Sequence, residues 1–111
     1  MKTKDLTNLM VPIYKINKIC AIHYVGLKNR TKKDIFGYSY ENIQNILKYS
    51  MYGIKYDTEY FKKALIEYDL LKINLDIAHE VKAISNGLFA NLIPLLANIK
   101  KLLQSFTDED N

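Results

Sequence analysis

The chain has 111 residues, which is enough for one domain with a single core and too few for two. Hydrophobic residues make up 49% and charged residues 25%, while four Gly and two Pro supply too few turns for an all-β fold. The net charge is +4, but residues 1–55 hold ten Lys or Arg against three Asp or Glu, and residues 56–111 hold six against nine. The N-terminal half, at +7, is therefore the half that could meet a polyanion, although a solvated basic face would give the same pattern.

The single cysteine and the lack of long apolar segments indicate the cellular compartment. A single cysteine excludes an intramolecular disulfide framework. The N-terminal lysines are not followed by a long apolar segment, so no secretory signal is expected, and no run of about 18 apolar residues predicts a membrane span. A cytoplasmic protein without membrane contact is expected.

The first predicted helix begins near Asp5 or Thr7 and ends around Val25–Gly26, where the glycine is expected to cap it. Lys15 and Lys18 are three residues apart and share its outer face. Its apolar stripe follows helical spacing and consists of Leu6, Leu9, Ile13, Ile16, Cys20 and Tyr24, broadened by Ile19 and Ile22.

The densest basic segment, residues 27–34, follows this helix and contains the only arginine of the chain, Arg30. It could contact phosphates or equally be a solvated connection. Its cations are Lys28, Arg30, Lys32 and Lys33. Thr31 is the expected cap of a second helix that runs from about Lys32 to Ile54.

Five tyrosines make the region of the second helix aromatic, namely Tyr38, Tyr40, Tyr49, Tyr52 and Tyr56. Tyrosines near lysines can stack on bases, but they also pack well at protein interfaces, and the interface interpretation is favoured. Residues 53–57 are expected to connect this helix to the next one, which Asp57 or Thr58 would cap.

The third predicted helix, residues 60–84, contains no Gly or Pro and carries two apolar stripes roughly 140° apart at about 100° per residue. Two stripes suggest burial on two sides, in a bundle core and against another subunit. One stripe consists of Phe61, Ala64, Leu65, Tyr68, Leu71, Leu75 and Ala78. The other consists of Ile66, Leu70, Ile73, Ile77, Val81 and Ile84.

A short turn at residues 85–87 leads to a fourth helix, residues 88–106, in which Pro94 is expected to produce a kink. The last five residues, 107–111, are acidic and expected to be disordered. The sequence therefore predicts an all-α fold, an antiparallel up-down-up-down four-helix bundle, in a single domain of residues 1–106.

No motif predicts catalysis, a cofactor, a metal or a small-molecule substrate. Asp76 and His79 share one helical face, but the pattern occurs once, whereas bundle metal centres need further carboxylates and a second copy. A local hydrogen bond of the histidine is the expected alternative. Cys20 and His23 also share a face, without a third group to orient the imidazole, so the cysteine is expected to be inert.

The chain resembles the small four-helix-bundle proteins that include the accessory variability determinant of diversity-generating retroelements and the proteins encoded in intervening sequences of rRNA genes. The similarity is best in residues 70–85, where Leu71, Leu75, Ala78, Val81 and Ile84 occupy the family's apolar positions. The leucine-rich segment 88–106 and the basic link with Arg30 also fit, although Pro94 stands where the family often has a Gly-rich step.

This resemblance implies a homopentameric barrel with a positively charged surface, which associates with a reverse transcriptase and RNA without catalytic activity. The nucleic-acid contacts predicted in this chain are Lys15, Lys18, Lys28, Arg30, Lys32 and Lys33. The predicted oligomer or partner interface consists of Ile66, Leu70, Ile73, Ile77 and Val81. The alternative is a structural or adaptor module that binds protein through this second stripe and does not bind nucleic acid.

Overall fold

Four helices and no strand make up the part of the chain that the computed structural model describes, which is residues 3–109 for the backbone and 7–107 for the side chains. The helices are α1 (Thr3–Gly26), α2 (Arg30–Lys55), α3 (Tyr60–Glu80) and α4 (Asn86–Glu109). The predicted all-α class is confirmed, and the arrangement is consistent with a four-helix bundle. None of these helices has the length and hydropathy that a membrane crossing requires.

Helix α2 begins two residues earlier than expected, because Asn29 rather than Thr31 caps it. The backbone of Asn29 is extended, and its Oδ1 accepts a hydrogen bond from the amide of Lys32 at 2.9 Å. At the end of α1, Gly26 does not adopt a positive φ, so the expected left-handed glycine cap is absent.

Helix α2 also continues past the glycine that was expected to open a connection. Gly53 is buried within the helix, and a Cβ there would lie 2.6 Å from Cε1 of Phe61. The absence of a side chain at Gly53 thus allows the aromatic ring to pack against the α2 backbone. In the turn that follows, Asp57 accepts a hydrogen bond from the amide of Glu59, the residue that precedes α3.

Helix α3 ends four residues before the predicted boundary at residue 84. Lys82 has a φ of 63°, and this left-handed residue redirects the chain, so that the amide of Ala83 bonds to the carbonyl of Ala78 at 2.8 Å. Ile84, which was assigned to the second stripe, is consequently buried in the core. The side chain of Ser85 then caps α4 by accepting from the amide of Leu88 at 3.0 Å.

The C-terminal helix is longer than predicted at both ends. Asn86 and Gly87, expected in the turn, form its first residues, and residues 107–109, expected in the acidic tail, form its last. Residues 110–111 lie outside the described residues. Pro94 is exposed and sits inside the helix.

The core is formed by one apolar stripe from each helix. Helix α2 packs against α1 and α3, and α4 packs against the same two helices. Leu9, Ile13, Ile16 and Cys20 of the first predicted stripe are buried, whereas Ile22 is exposed and Leu6 lies outside the described side chains. In α3, the first of the two stripes faces the core, where Phe61 stacks on Phe106 with ring centroids 5.0 Å apart.

A small polar network joins α2 to α3 beside this core. The Oε1 atom of Glu67 accepts hydrogen bonds from the side-chain amides of Asn45 at 2.7 Å and of Asn42 at 3.3 Å. The amide of Asn74 in turn donates to Oδ1 of Asn42 at 2.7 Å. Because Asn42 is buried, these bonds satisfy groups that would otherwise destabilise the interface between the two helices.

Candidate interaction surfaces

A row of exposed aliphatic side chains runs along the outer side of α3, and we call it the aliphatic face. Its members are Ile66, Leu70, Ile73, Ile77 and Val81, with exposed fractions between 40% and 61%. They recur at steps of three and four residues, which places them on one side of the helix. The side chains predicted as an oligomer or partner interface therefore share one accessible surface, on the opposite side of α3 from the core.

A second exposed apolar surface lies on the outer side of α1. Its members are Val11, Tyr14, Ile22 and Val25, each more than half exposed. Within the described residues, α1 and α3 are not neighbouring helices, since each packs against α2 and α4. The bundle thus presents apolar side chains on two helices that are not neighbours.

Lys15 and Lys18, two predicted nucleic-acid contacts, lie on this same outer side of α1 and are exposed. They share it with Tyr14 and Ile22, which are exposed as well. The outer face of α1 is therefore mixed, with cationic and apolar groups interleaved.

The other four predicted nucleic-acid contacts lie around the link between α1 and α2, and their charged groups have different surroundings. Lys28 is exposed, and the side chain of Arg30 is 88% exposed but pairs with Asp34, with Nε 3.3 Å from Oδ1. Lys33 lies over the ring of Tyr24, 4.9 Å from its centroid. Since an exposed i, i+4 pair is weak, a phosphate can compete with Asp34 for Arg30.

An open cleft of about 900 Å³ lies next to this link, between it and the turn that joins α3 to α4. Lys32, Asp76, His79 and Lys82 are among its lining residues. The ring of His79 stacks on Phe89 at 4.1 Å, and its Nε2 donates to Oδ1 of Asn86 at 2.6 Å. This is the local hydrogen bond expected of His79, and within the described residues no group of three His, Cys, Asp or Glu could hold a metal ion.

Cys20 and His23, which share a face of α1, each have surroundings that do not favour nucleophilic chemistry. Burial raises the pKa of the Cys20 thiol to about 12, so the thiol stays protonated near neutral pH. The Nε2 atom of His23 donates to the carbonyl of Ala83 at 2.7 Å, and its ring meets Phe36 edge-on. His23 therefore fixes the end of α1 to the turn after α3.

Two surfaces were not predicted from the sequence. The outer face of α1 could have been found from the sequence, because the spacing of Val11, Tyr14, Ile22 and Val25 places them on one side of a helix. A cluster of tyrosines and lysines also forms where α2 meets α3. The sequence showed tyrosines near lysines in α2, but not that Tyr60 and Lys63 of α3 join them. Comparison of the chain with protein-family models, with curated proteins and with solved structures found no match.

Proposed function

We propose that this protein is a non-enzymatic, self-associating helical bundle that binds RNA and a partner protein. The observation that carries the proposal is the aliphatic face of α3. By resemblance to the accessory proteins of diversity-generating retroelements, the assembly is a homopentamer and the partner is a reverse transcriptase. The proposed location is the cytoplasm, because the sequence predicts neither a secretory signal nor a membrane span.

The exposed area of the aliphatic face supports self-association. From Ile66 to Val81 the row spans about 22 Å at 1.5 Å per residue. Full burial of one such side chain is worth roughly 1.5–3 kcal/mol, so covering five that are about half exposed would supply several kcal/mol. A continuous apolar row of this length is typical of an interaction surface rather than of a solvated helix.

A second copy of the chain is a fitting occupant, because the outer face of α1 offers a complementary apolar surface. The two faces lie on non-neighbouring helices, so the α3 face of one copy can meet the α1 face of the next. A contact between two different faces repeats from copy to copy and closes into a ring if the rotation allows it. This geometry fits a cyclic oligomer.

The proposal includes the antiparallel up-down-up-down arrangement of the helices. It is supported by contacts that join the beginning of one helix to the end of a neighbouring helix. Examples are His23 with Phe36, Tyr49 with Tyr60, and Phe61 with Phe106. The short links between the four helices favour the same arrangement.

RNA binding is supported by the cations of residues 28–33, which lie in the half of the chain with a charge of +7. Lys15 and Lys18 lie on the α1 face that a second copy would cover, so the proposed RNA contacts are the cations of the link. In the test, the affinity for a labelled RNA is measured by fluorescence anisotropy at several salt concentrations. Reversing the charges of Arg30, Lys32 and Lys33 should weaken binding and lower the salt slope by about 2, because each lost contact with a single strand removes roughly 0.7. An unchanged slope would rule these contacts out.

Self-association is tested by the substitution Ile73→Glu at the centre of the aliphatic face. We expect the mass in solution, measured by light scattering, to fall toward that of a single chain. Ile93→Glu is the matched control, because Ile93 is 44% exposed on α4 and lies outside the face. A control that dissociates as readily as Ile73→Glu would contradict this interface.

The second candidate function is an adaptor that binds another protein without nucleic acid. The mixed character of the outer face of α1 favours it, because exposed apolar side chains there are interleaved with Lys15 and Lys18. A monomer that binds no RNA at low salt is the result that this candidate predicts.

A further inference from the structure

Four tyrosines form a continuous aromatic cluster where α2 ends and α3 begins. Tyr52 lies at its centre, with ring centroids 5.2 Å from Tyr60 and 5.7 Å from Tyr56. Tyr49 stacks on Tyr60 at 6.2 Å and meets Tyr52 edge-on at 6.5 Å. Tyr49 packs against the core, whereas Tyr52 is 37% and Tyr56 68% exposed, so the cluster opens to solvent.

The local sequence explains why these rings meet. Tyr49 and Tyr52 are three residues apart in the last turns of α2, and Tyr56 follows four residues later as its C-terminal cap. The chain then turns within residues 57–59, and Tyr60 begins α3 beside the same surface. A single tight turn thus gathers rings from two helices.

Three lysines lie over these rings. The ammonium of Lys48 is 4.9 Å from the ring centroid of Tyr49, that of Lys63 is 5.1 Å from Tyr60, and that of Lys55 is 5.7 Å from Tyr56. All three lysines are exposed, and among the described residues none has a carboxylate within salt-bridge distance. We call the four tyrosines and three lysines the tyrosine–lysine cluster.

The two acidic residues of the adjoining turn are already engaged. Oδ1 of Asp57 accepts a hydrogen bond from the amide of Glu59, and the carboxylate of Glu59 pairs with Lys62 at 3.1 Å. Neither carboxylate pairs with a lysine of the cluster, so Lys48, Lys55 and Lys63 are accessible to an external anion.

We propose that the tyrosine–lysine cluster binds single-stranded nucleic acid, with unpaired bases stacking on Tyr52 and Tyr56 and the lysines contacting the adjacent phosphates. Exposed aromatic rings beside cations are the two elements of single-strand binding surfaces. Unpaired bases present the faces that stacking needs, whereas bases in a duplex are already stacked. The inference rests on the proposed RNA binding and specifies the form of nucleic acid.

The composition of the cluster favours nucleic acid over a protein partner. Tyrosine is common at both kinds of interface, but lysine is depleted from the centres of protein–protein interfaces. Here Lys48, Lys55 and Lys63 are interleaved with the rings. The cluster is also distinct from the basic link, since Lys33 and Lys55 are about 33 Å apart along α2 at 1.5 Å per residue.

The test compares a fluorescein-labelled single-stranded oligoribonucleotide of about 12 nucleotides with the duplex of the same sequence, a length within the usual range of single-strand sites. We expect Tyr56→Leu to weaken single-strand binding by at least roughly fivefold, the lower limit for the loss of one stacked base. Duplex binding should not change. Tyr56→Phe, which keeps the ring, should bind the single strand like the wild type.

Tyr38→Leu is the matched control, because Tyr38 is an exposed tyrosine of the same helix outside the cluster. It should leave single-strand binding unchanged. The protein has no tryptophan, so tyrosine emission provides a second readout. The single strand should quench this emission, and the quenching should decrease in Tyr56→Leu.

The outcomes separate this inference from the proposed function. If the wild type binds neither RNA, both are wrong. If it binds RNA and charge reversal at Arg30, Lys32 and Lys33 weakens binding but Tyr56→Leu does not, only the inference about the cluster is wrong. Equal losses of single-strand and duplex affinity in Tyr56→Leu would likewise refute stacking of unpaired bases.

Discussion

The substitution Gly53→Ala tests the packing of α2 on α3 most sharply, because two effects of opposite sign meet there. In an unobstructed helix, replacing Gly by Ala stabilises the folded protein by about 0.5–1 kcal/mol. At position 53 the new Cβ would lie 2.6, 2.7 and 2.8 Å from three ring atoms of Phe61. These distances are too short for carbon atoms that are not bonded to each other, so either the ring of Phe61 or the α2 helix must move.

Phe61 has little room to move, because it is fully buried and stacks on Phe106. Overpacking of this kind costs about 1–3 kcal/mol, which exceeds the gain in helix propensity. The midpoints of the two ranges differ by about 1 kcal/mol, so we expect Gly53→Ala to lower the free energy of unfolding by about 1 kcal/mol. The double substitution Gly53→Ala with Phe61→Leu should show a smaller loss than the sum of the two single substitutions.

Gly37→Ala provides the matched control in the same helix. Its Cβ would meet only Cε2 of Tyr24, at an ordinary contact distance of 3.5 Å, so the helix-propensity gain should prevail. Urea unfolding followed by circular dichroism measures both variants. If Gly53→Ala were stabilised as much as Gly37→Ala, the close approach of Phe61 to α2 would be refuted.

Three further substitutions or reactions probe the interior. Glu67→Ala should destabilise the fold by about 1–3 kcal/mol, because it removes the acceptor of Asn42 and Asn45, while Glu67→Gln should cost less in the same urea titration. Ser50→Ala should raise the unfolding midpoint, because its buried hydroxyl has no hydrogen-bond partner within the described residues; an unchanged or lower midpoint would contradict this. Cys20 should react with a thiol reagent at least roughly a hundredfold more slowly in the native than in the unfolded protein. The thiol of Cys20 has its ordinary pKa of 9.0 in the unfolded chain and a pKa of about 12 in the folded protein. Its ionisation should therefore lower the free energy of unfolding as the pH rises between these two values. Cys20→Ala should remove this contribution.

The periodicity of α3 was sufficient to predict both of its apolar stripes, because helical spacing determines which side chains share a face. It did not show which stripe faces the core, since both are apolar. In the structure, the stripe that contains Phe61 faces the core, where Phe61 contacts Phe106 of α4. Ile66 and Ile73 of the other stripe are exposed. The packing of α2 and α4 against α3 determines which stripe is buried, and the periodicity of α3 alone contains no information on that packing.

The helix boundaries and the structural roles of the glycines were harder to predict, because they depend on single backbone angles and on tertiary contacts. Nothing in the local sequence marks Lys82 as left-handed, yet its φ of 63° ends α3 and sends Ile84 into the core. Gly53 looked like a turn residue but is explained by the ring that packs against it from α3. The tyrosine–lysine cluster likewise depends on a turn that brings Tyr60 next to Tyr52.

The mass of the wild-type protein in solution tests the central claim, self-association through the aliphatic face, most directly. Size-exclusion chromatography with light scattering gives this mass over a range of protein concentrations. We expect a multiple of the 12.9 kDa chain mass, and five copies if the family resemblance extends to the subunit number. A mass of 12.9 kDa at every concentration would contradict the claim and would leave the aliphatic face for a different protein.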